Sequence, residues 1–423
     1  METPVADYLE QVLDACATDD GEVASYIPEL AAADPNRLAV AVCVGGGRVY
    51  AAGDAGVRFS IQSISKPFVY ALALRDHGIA FMEERIGVEP SGDPFNEISL
   101  EEDSGRPRNP MINIGAIATH AWVGEEDISA GERFERVRAG LSAFAGRELV
   151  VDEAVHTSEL DTAHRNLALA HLVRSRDIFT LDPHDVVDGY TRQCSLLVDV
   201  RDLAIMAMTL GSSGHNPVTG EQVVTEEICR QVLSVMATCG MYDAAGDWMT
   251  GVGIPAKSGV SGGILGALPG QAGIGAFSPR LDSFGNSTRG VRVCERLSHD
   301  MGLHLLAQPP MAVDAVRTAG VIDHDGGEWY RAVLQGGLHF ASGERMLAQL
   351  ADVEPGDMPV SLDVSRVASM NDVGRRMLGE VVRRLMAEGH RVVLVDPRGV
   401  TADLDTGDDA EPEVVEHSPH ADA

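Results

Sequence analysis

The chain has 423 residues, of which 44% are hydrophobic, so it is too long for one small module and can bury the cores of two domains. It carries 33 Lys and Arg against 64 Asp and Glu, a formal net charge of −31. This balance argues against nucleic acid or an anionic membrane surface as a partner.

Residues 1–308 are predicted to fold as one mixed α/β domain. Residues 1–17 have helical spacing and lack the features of a secretory signal. Residues 37–44 and 48–52 predict two strands joined by a triple-glycine turn. Further helices are predicted at 62–77, 159–174, 201–210 and 220–238, and further strands at 263–268 and 272–277. Strands at both ends with helices between them favour an α+β or three-layer architecture over regular βαβ repeats.

A second, smaller domain is predicted after a break in this pattern. Residues 309–327 are interpreted as a linker because Pro, Asp and Gly are frequent there. Residues 328–401 predict a small α/β domain, with strands at 330–334, 360–364 and 391–395 and helices at 343–350 and 372–387. Residues 402–423 contain eight acidic residues and no Lys or Arg, which predicts a disordered acidic tail.

Signals for membranes, disulfides and metals are weak in this sequence. No run of 18 apolar residues occurs, so we expect no membrane-spanning segment and a cytoplasmic location. The six cysteines include no C-x-x-C pair, which predicts buried, reduced thiols. The 14 histidines form no H-x-x-x-H or H-E-x-x-H pattern, so we expect neither a metal nor another cofactor.

Two lysines stand among the 33 basic residues, and the first completes the motif S-x-x-K with Ser63 and Lys66. Positions i and i+3 share one helix face, so the Lys66 amine can reach the Ser63 hydroxyl. Partial burial lowers the pKa of a lysine, and a neutral amine can then take the serine proton. Arginine cannot do this because its pKa stays above about 12. The motif therefore predicts Ser63 as a nucleophile and Lys66 as its general base.

The second lysine begins the motif Lys257-Ser258-Gly259, directly before a predicted strand. K-[ST]-G before a strand is the second half of a serine–lysine acyl-transfer pattern, and amides at the strand edge can hold an oxyanion. Two overlapping alternatives fit less well. A phosphate loop requires glycine where Ala256 stands, and a nucleophile elbow at Ser261 requires a strand before it and a helix after it.

Five longer runs resemble those of the serine-dependent glutaminases: QSISKP at 62–67, EPSG at 89–92, NPMINIGA at 109–116, CGMYD at 239–243 and PAKSGV at 255–260. These enzymes have a β-lactamase-like fold and hydrolyse L-glutamine to L-glutamate and ammonia. The resemblance covers roughly residues 20–300. It implies a β-lactamase/transpeptidase-like catalytic domain, an acyl-enzyme on Ser63, and an oxyanion held by the backbone N–H groups of Ser63 and Val260. We expect L-glutamine as the small-molecule substrate and a homo-oligomer, either a dimer or a tetramer.

The same resemblance implies which polar residues bind the substrate. Glu159 would pair with the α-ammonium group, and its seven-residue spacing to Asn166 places both on one face of the predicted helix 159–174. Asn166, Asn113 and a tyrosine would bind the carboxylate and the amide.

Three tyrosines match positions of the family near the pocket. Tyr190 and Tyr242 both lie in matching motifs, and one of them would relay the proton of the serine–lysine pair; the sequence leaves open which one. Tyr26, in Ser25-Tyr26-Ile27-Pro28, is the third tyrosine and is expected to line the substrate pocket.

Residues 360–374 resemble a STAS domain, the fold of anti-sigma-factor antagonists and sulfate-transporter tails. Where the antagonists carry a phosphorylatable D-S-S-G, this chain has Asn371-Asp372-Val373-Gly374. The serine is absent, which argues against switching by phosphorylation. A scaffold, an oligomer contact or a ligand sensor remain alternative roles for this domain.

Two other functions are compatible with parts of the sequence. One is a penicillin-recognising hydrolase or peptidase of the same fold, against which the missing secretory signal counts. The other is a non-catalytic regulator built around the STAS-like domain, against which the intact Ser63 and Lys66 count. The acidic excess also suggests salt tolerance, although an arginine-favouring genome would deplete lysine as well.

Overall fold

The computed structural model describes residues 5–18, 20–91, 100–307, 315–324, 327–338, 346, 350, 358–406 and 411–417. The chain divides into two compact units, residues 1–307 and residues 308–423. The helix predicted at 343–350 lies outside the described residues, apart from Met346 and Leu350. No helix in the part of the chain described is long and apolar enough to cross a membrane.

The first unit alternates short strands with a large set of helices. Its helices are α1 (Val5–Cys16), α2 (Pro28–Ala31), α3 (Lys66–His77), α4 (Ile79–Glu83), α5 (Asn113–Ala121), α6 (Ala130–Ala145), α7 (Glu153–Asp161), α8 (His164–Arg174), α9 (Pro183–Cys194), α10 (Val200–Gly211), α11 (Glu226–Cys239), α12 (Ala245–Gly251) and α13 (Thr288–Met301). Its strands are β1 (Ala39–Val44), β2 (Val49–Gly53), β3 (Phe59–Ser60), β4 (Leu197–Val198), β5 (Ala256–Ser258), β6 (Gly263–Leu268) and β7 (Ala272–Phe277). Short 3₁₀ turns occur at Gln62–Ser65 and Tyr242–Ala244.

An antiparallel five-stranded sheet with the order β2-β1-β7-β6-β5 forms the middle layer of this unit. The predicted hairpin β1–β2 is confirmed, with bounds shifted by one or two residues, and the two strands predicted at 263–268 and 272–277 are confirmed at those bounds and pair with one another. Alternate residues of each strand face opposite sides of the sheet, as strand geometry requires. On β1, Val40 and Val42 pack with α1 and α13, whereas Ala41 and Cys43 face the larger helical layer. The predicted mixed α/β architecture with three layers is thereby confirmed.

One predicted helix is wrong in a way that affects the site. Residues 159–174 form two helices, α7 and α8, rather than one, because α7 ends at Asp161 and Thr162 takes a non-helical conformation. The Thr162 hydroxyl donates to the Ser158 carbonyl at 3.0 Å, which satisfies a carbonyl at the end of the helix. Glu159 therefore lies on α7 and Asn166 on α8, and the two residues do not share the face of one helix.

The predicted helix 220–238 begins later than expected. Thr225 is its N-cap, and its side chain accepts from the Ile228 N–H, so α11 starts at Glu226. Ser, Thr, Asp and Asn cap helices because their side chains satisfy the free amides of the first turn. The preceding residues hold a separate turn around Asn216, whose carboxamide bonds four backbone groups.

The second unit contains β8 (Val316–His324), β9 (Gly327–Leu338), β10 (Val360–Met370), α14 (Asp372–Ala387), β11 (Val392–Val395) and β12 (Glu413–Val415). Their order in the sheet is β12-β11-β10-β9-β8, with β8 antiparallel to β9 and the other pairs parallel. The apolar face of α14, including Leu378 and Val382, packs on Leu362, Val364 and Leu394. The helix 372–387 is confirmed at its predicted bounds.

Two segments of the second unit differ from the predicted boundaries. The predicted linker 309–327 contains strand β8, which pairs with β9 over most of its length. The predicted disordered tail contains β12, whose Val414 lies opposite Leu394 of β11. A salt bridge of 2.6 Å between Arg391 and Glu413 joins the same two strands. Both strands are rich in β-branched residues, but the polar and acidic residues around them led to the prediction of a linker and a disordered tail.

Candidate active site

The candidate nucleophile lies in a tight turn between β3 and α3, which we call the serine turn (Gln62–Ser65). Gln62 has a φ of 50°, a left-handed conformation that costs a non-glycine residue roughly 1–3 kcal/mol. Ser63 follows directly and is buried. Lys66 is the first residue of α3, so the three-residue spacing of a 3₁₀ turn aligns it with Ser63. The sequence predicted one helix over this region and missed the strained turn.

The Lys66 amine is buried and is held by two neutral acceptors. It donates to the Met111 carbonyl oxygen at 3.1 Å and to the Asn113 Oδ1 atom at 2.7 Å. Burial lowers the pKa of Lys66 to about 8. A substantial fraction of the amine is therefore neutral near physiological pH, as a general base requires.

Tyr242 connects the serine turn to the edge of the main sheet. Its phenol forms a hydrogen bond with the Ser63 side chain and donates to the Ser258 carbonyl oxygen at 3.1 Å. The Lys257 amine donates to the same Ser258 oxygen at 2.7 Å and lies 4.1 Å from the centre of the Tyr242 ring. Burial, followed by repulsion from Lys66, holds the pKa of Lys257 well below its usual range. Both lysines of the chain thus lie at one site.

Glu159 forms the acidic end of the site. Its Oε1 atom accepts from the Tyr26 hydroxyl at 2.8 Å and from the Gln62 Nε2 atom at 3.1 Å. Burial raises the pKa of Glu159, and its two donors are uncharged. A partly desolvated carboxylate with neutral donors is stabilised most by a cationic group, and an α-ammonium group is such a cation.

Two further contacts complete the pocket. Asn113 Nδ2 donates to Asn166 Oδ1 at 3.5 Å, which links the Lys66 contact to helix α8. Tyr190 is buried and forms a hydrogen bond with Cys194 on the same helix. Burial raises the pKa of the Cys194 thiol to about 12, so this cysteine stays protonated.

The structure brings the sequence-predicted residues into one region. Direct hydrogen bonds or electrostatic contacts join Ser63, Lys66, Asn113, Glu159, Asn166, Tyr26, Tyr190 and Tyr242. Val260 follows β5 and packs against Ile27 and Val155, which borders the same region. Sequence reasoning missed the Gln62 side chain as the donor to Glu159, although Gln62 directly precedes the nucleophile in the quoted motif. It also treated Cys194 as an ordinary buried thiol.

A serine in S-x-x-K before a helix, with K-S-G on the edge strand of an antiparallel sheet, is typical of serine–lysine acyl-transfer enzymes. Comparisons with known proteins narrow this class. The family model described as Glutaminase matches residues 21–306. The chain belongs to the glutaminase family.

Individual relatives agree with this assignment. The glutaminase of Corynebacterium efficiens is 45% identical and aligns over 96% of this chain and 95% of the relative. The glutaminase of Trichormus variabilis is 50% identical, but the alignment covers 68% of this chain and 85% of the relative. The crystal structure of Mglu shares 47% identity with a TM-score of 0.88, and the match covers 95% of this chain and 100% of that one. The predicted glutaminase activity and fold class are confirmed, and the two competing functions find no support in these comparisons.

Proposed function

We propose that this glutaminase acts through an acyl-enzyme on Ser63. Lys66 takes the hydroxyl proton, and the Ser63 oxygen attacks the γ-carboxamide carbon of L-glutamine. The tetrahedral intermediate collapses with cleavage of the C–N bond, and the nitrogen leaves as ammonia after it gains a proton. Water then attacks the γ-glutamyl ester, which releases L-glutamate and returns the proton to Ser63. The observation that carries this proposal is the buried Lys66 amine, aligned with Ser63 and held by neutral acceptors.

Tyr242 is the better candidate for the proton relay. It contacts the Ser63 side chain, whereas Tyr190 bonds to Cys194. Tyr242 can pass a proton towards the departing nitrogen because its phenol already bonds to the nucleophile. The backbone N–H groups of Ser63 and Val260 would stabilise the oxyanion, since donors aimed at the developing charge lower the barrier.

Substrate recognition is assigned to the polar end of the pocket. Glu159 would pair with the α-ammonium group, because its half-buried carboxylate has only neutral donors among its hydrogen-bond partners. Asn113, Asn166 and Tyr190 would bind the α-carboxylate and the amide. Tyr26, whose side chain is half exposed, would cover the ammonium end.

Ammonia release by Ser63→Ala tests the mechanism. The variant removes the nucleophile and leaves the general base in place, so we expect activity to fall by at least about 10³-fold. Ser261→Ala is the matched control, because Ser261 is also buried and follows the second motif but forms no part of the proposed chemistry. Equal activity of Ser63→Ala and the wild type would reject the acyl-enzyme.

We also infer that the second unit, whose sheet includes β8 and β12 beyond the predicted bounds 328–401, is a STAS-like domain that is not needed for catalysis. A mixed sheet of mostly parallel strands with α14 on it supports this inference. A homo-oligomer, either a dimer or a tetramer, and a cytoplasmic location belong to the same proposal. Light scattering of the purified protein measures the oligomer directly.

A further inference from the structure

A line of buried polar groups runs from helices α5 and α9 to the serine turn. His120 Nδ1 lies 2.9 Å from Gln193 Oε1, and Gln193 Nε2 donates to Ser65 Oγ at 3.1 Å. Ser65 Oγ donates in turn to the Gln62 carbonyl oxygen at 2.8 Å. His120, Gln193 and Ser65 are each at most 1% exposed. None of the three contacts belongs to the chemistry assigned to Ser63.

The hydrogen bonds along this line have one arrangement of donors and acceptors. Ser65 has one hydroxyl proton, which it gives to the Gln62 carbonyl, so its oxygen accepts from the Gln193 amide. The same hydroxyl also forms a hydrogen-bond contact with the Cys194 side chain. The Gln193 carbonyl oxygen then faces His120, which must carry its proton on Nδ1. Burial lowers the pKa of His120 to about 4, so the ring is neutral and this tautomer is fixed by Gln193.

The neighbouring helix leaves just enough space for the His120 ring. A Cβ atom on Gly189 of α9 would lie 2.3 Å from His120 Nε2, so the ring occupies the space that any larger residue would need. The position of the His120 ring therefore requires glycine at 189, and the ring in turn bonds to Gln193. A polar line of this kind inside a helical layer is costly unless each group finds its partner.

The last residue of this line, Gln62, has a strained backbone. Gln62 has a left-handed backbone, and its carbonyl accepts from Ser65 within the same turn. Its side-chain amide donates to Glu159 at 3.1 Å. Ser63 is the next residue, so any shift of the Gln62 peptide moves the nucleophile hydroxyl.

We propose that His120, Gln193 and Ser65 form a positioning relay that holds the strained Gln62 peptide and so aims the Ser63 hydroxyl at the substrate carbon. The proposal rests on Ser63 as the nucleophile. Positioning within about 1 Å is worth up to roughly 100-fold in rate. Glu159 keeps a second donor, Tyr26, so loss of the relay affects the binding end less than the reacting end.

Two single variants and their combination test the relay. Gln193→Met keeps the length of the side chain and removes both of its hydrogen bonds, and Ser65→Ala removes the last donor. For each we expect kcat for glutamine to fall about 10- to 100-fold while KM changes less than about threefold. Thr191→Val is the matched control: Thr191 is buried on the same helix, and its hydroxyl bonds to Val187 within α9 at 2.7 Å.

The double variant separates a relay from general loss of packing. Groups that act as one unit are not additive, so Gln193→Met combined with Ser65→Ala should lose no more kcat than the worse single variant. Multiplied losses, or a folded Ser65→Ala with wild-type kcat, would overturn the relay. If Gln193→Met does not fold, Ser65→Ala alone decides, because it deletes a single hydroxyl oxygen. Activity that persists in Ser63→Ala would instead reject the acyl-enzyme itself.

Discussion

Two lysines lie buried within one site, although the chain otherwise uses arginine as its basic residue. The acceptors of Lys66 are the Met111 carbonyl and the Asn113 amide oxygen, and the acceptor of Lys257 is the Ser258 carbonyl. These acceptors are all uncharged, and burial lowers both lysine pKa values. Two neighbouring ammonium groups would repel one another, so the site favours uncharged amines. A guanidinium, with a pKa above about 12, could not supply one.

The proposed general base makes a prediction about pH. Because the Lys66 amine could accept the Ser63 proton only when it is neutral, kcat/KM should rise with pH and level off above the Lys66 pKa of about 8. An arginine at this position stays charged, so Lys66→Arg should lower kcat by about 10²- to 10⁴-fold and abolish the rise. Ammonia release measured between about pH 6 and 10 checks both statements.

Lys257→Met provides the comparison for this pH profile. It removes the other lysine, and the rise with pH should persist because its source, Lys66, is intact. A rise that survives in Lys66→Arg and is lost in Lys257→Met would transfer the general-base role to Lys257.

Helix α10 packs closely against β7, the central strand of the main sheet, and so joins the helical layer to the sheet. Gly273 and Gly275 of β7 face α10, where added Cβ atoms would lie 2.2 Å from the Ala204 carbonyl oxygen and 2.3 Å from the Val200 carbonyl oxygen. The two glycines allow the helix backbone to lie directly on the strand. Asp199 caps α10 and so fixes where the helix begins on the sheet.

Gly273→Ala should therefore destabilise the first unit. The new methyl group meets backbone atoms that cannot rotate away, and overpacking of this kind costs about 1–3 kcal/mol of the free energy of unfolding. Gly266→Ala on the neighbouring strand is the matched control, since its Cβ would meet no backbone atom but only the Ile254 side chain at 3.3 Å and the Ile274 side chain at 3.9 Å. Urea unfolding of the two variants measures the difference; equal midpoints would show that α10 can move away from the sheet.

Some of the helices, strands and site residues could be predicted from the sequence, and others could not. The hairpin β1–β2 was predictable because three glycines separate two runs of alternating or continuous apolar residues. The break between α7 and α8 was not, because Thr162 fits a helical pattern and no glycine or proline marks the end of α7 there. Ser63 and Lys66 followed from their spacing, whereas Glu159 and Tyr242 followed only from the resemblance to a family. The Gln193 relay joins residues distant in sequence, and no spacing rule brings them together.

The residues to which we assign catalysis all belong to the first of the two units. The second unit has its own core, which includes Leu334, Leu362 and Leu394. A unit with its own core can fold alone. We therefore expect the chain truncated after Ala307 to be folded and to keep kcat within about twofold of the full chain.

Ammonia release and circular dichroism of the truncated chain test this independence. Ser63→Ala in the same truncated chain is the control for contaminating activity. A soluble, folded truncation without turnover would show that the second unit takes part in catalysis.

The net charge of −31 is also a property of the whole chain and makes a prediction about salt. Like charges in such excess repel one another and destabilise the compact state, and at 1 M salt the screening length falls to about 3 Å. Added NaCl should therefore raise the unfolding temperature, and activity should persist at about 1 M NaCl. Sucrose at equal osmolality is the control, because it strengthens burial without screening charge. Activity that collapses well below 1 M NaCl would leave an arginine-favouring genome as the explanation for the scarce lysines.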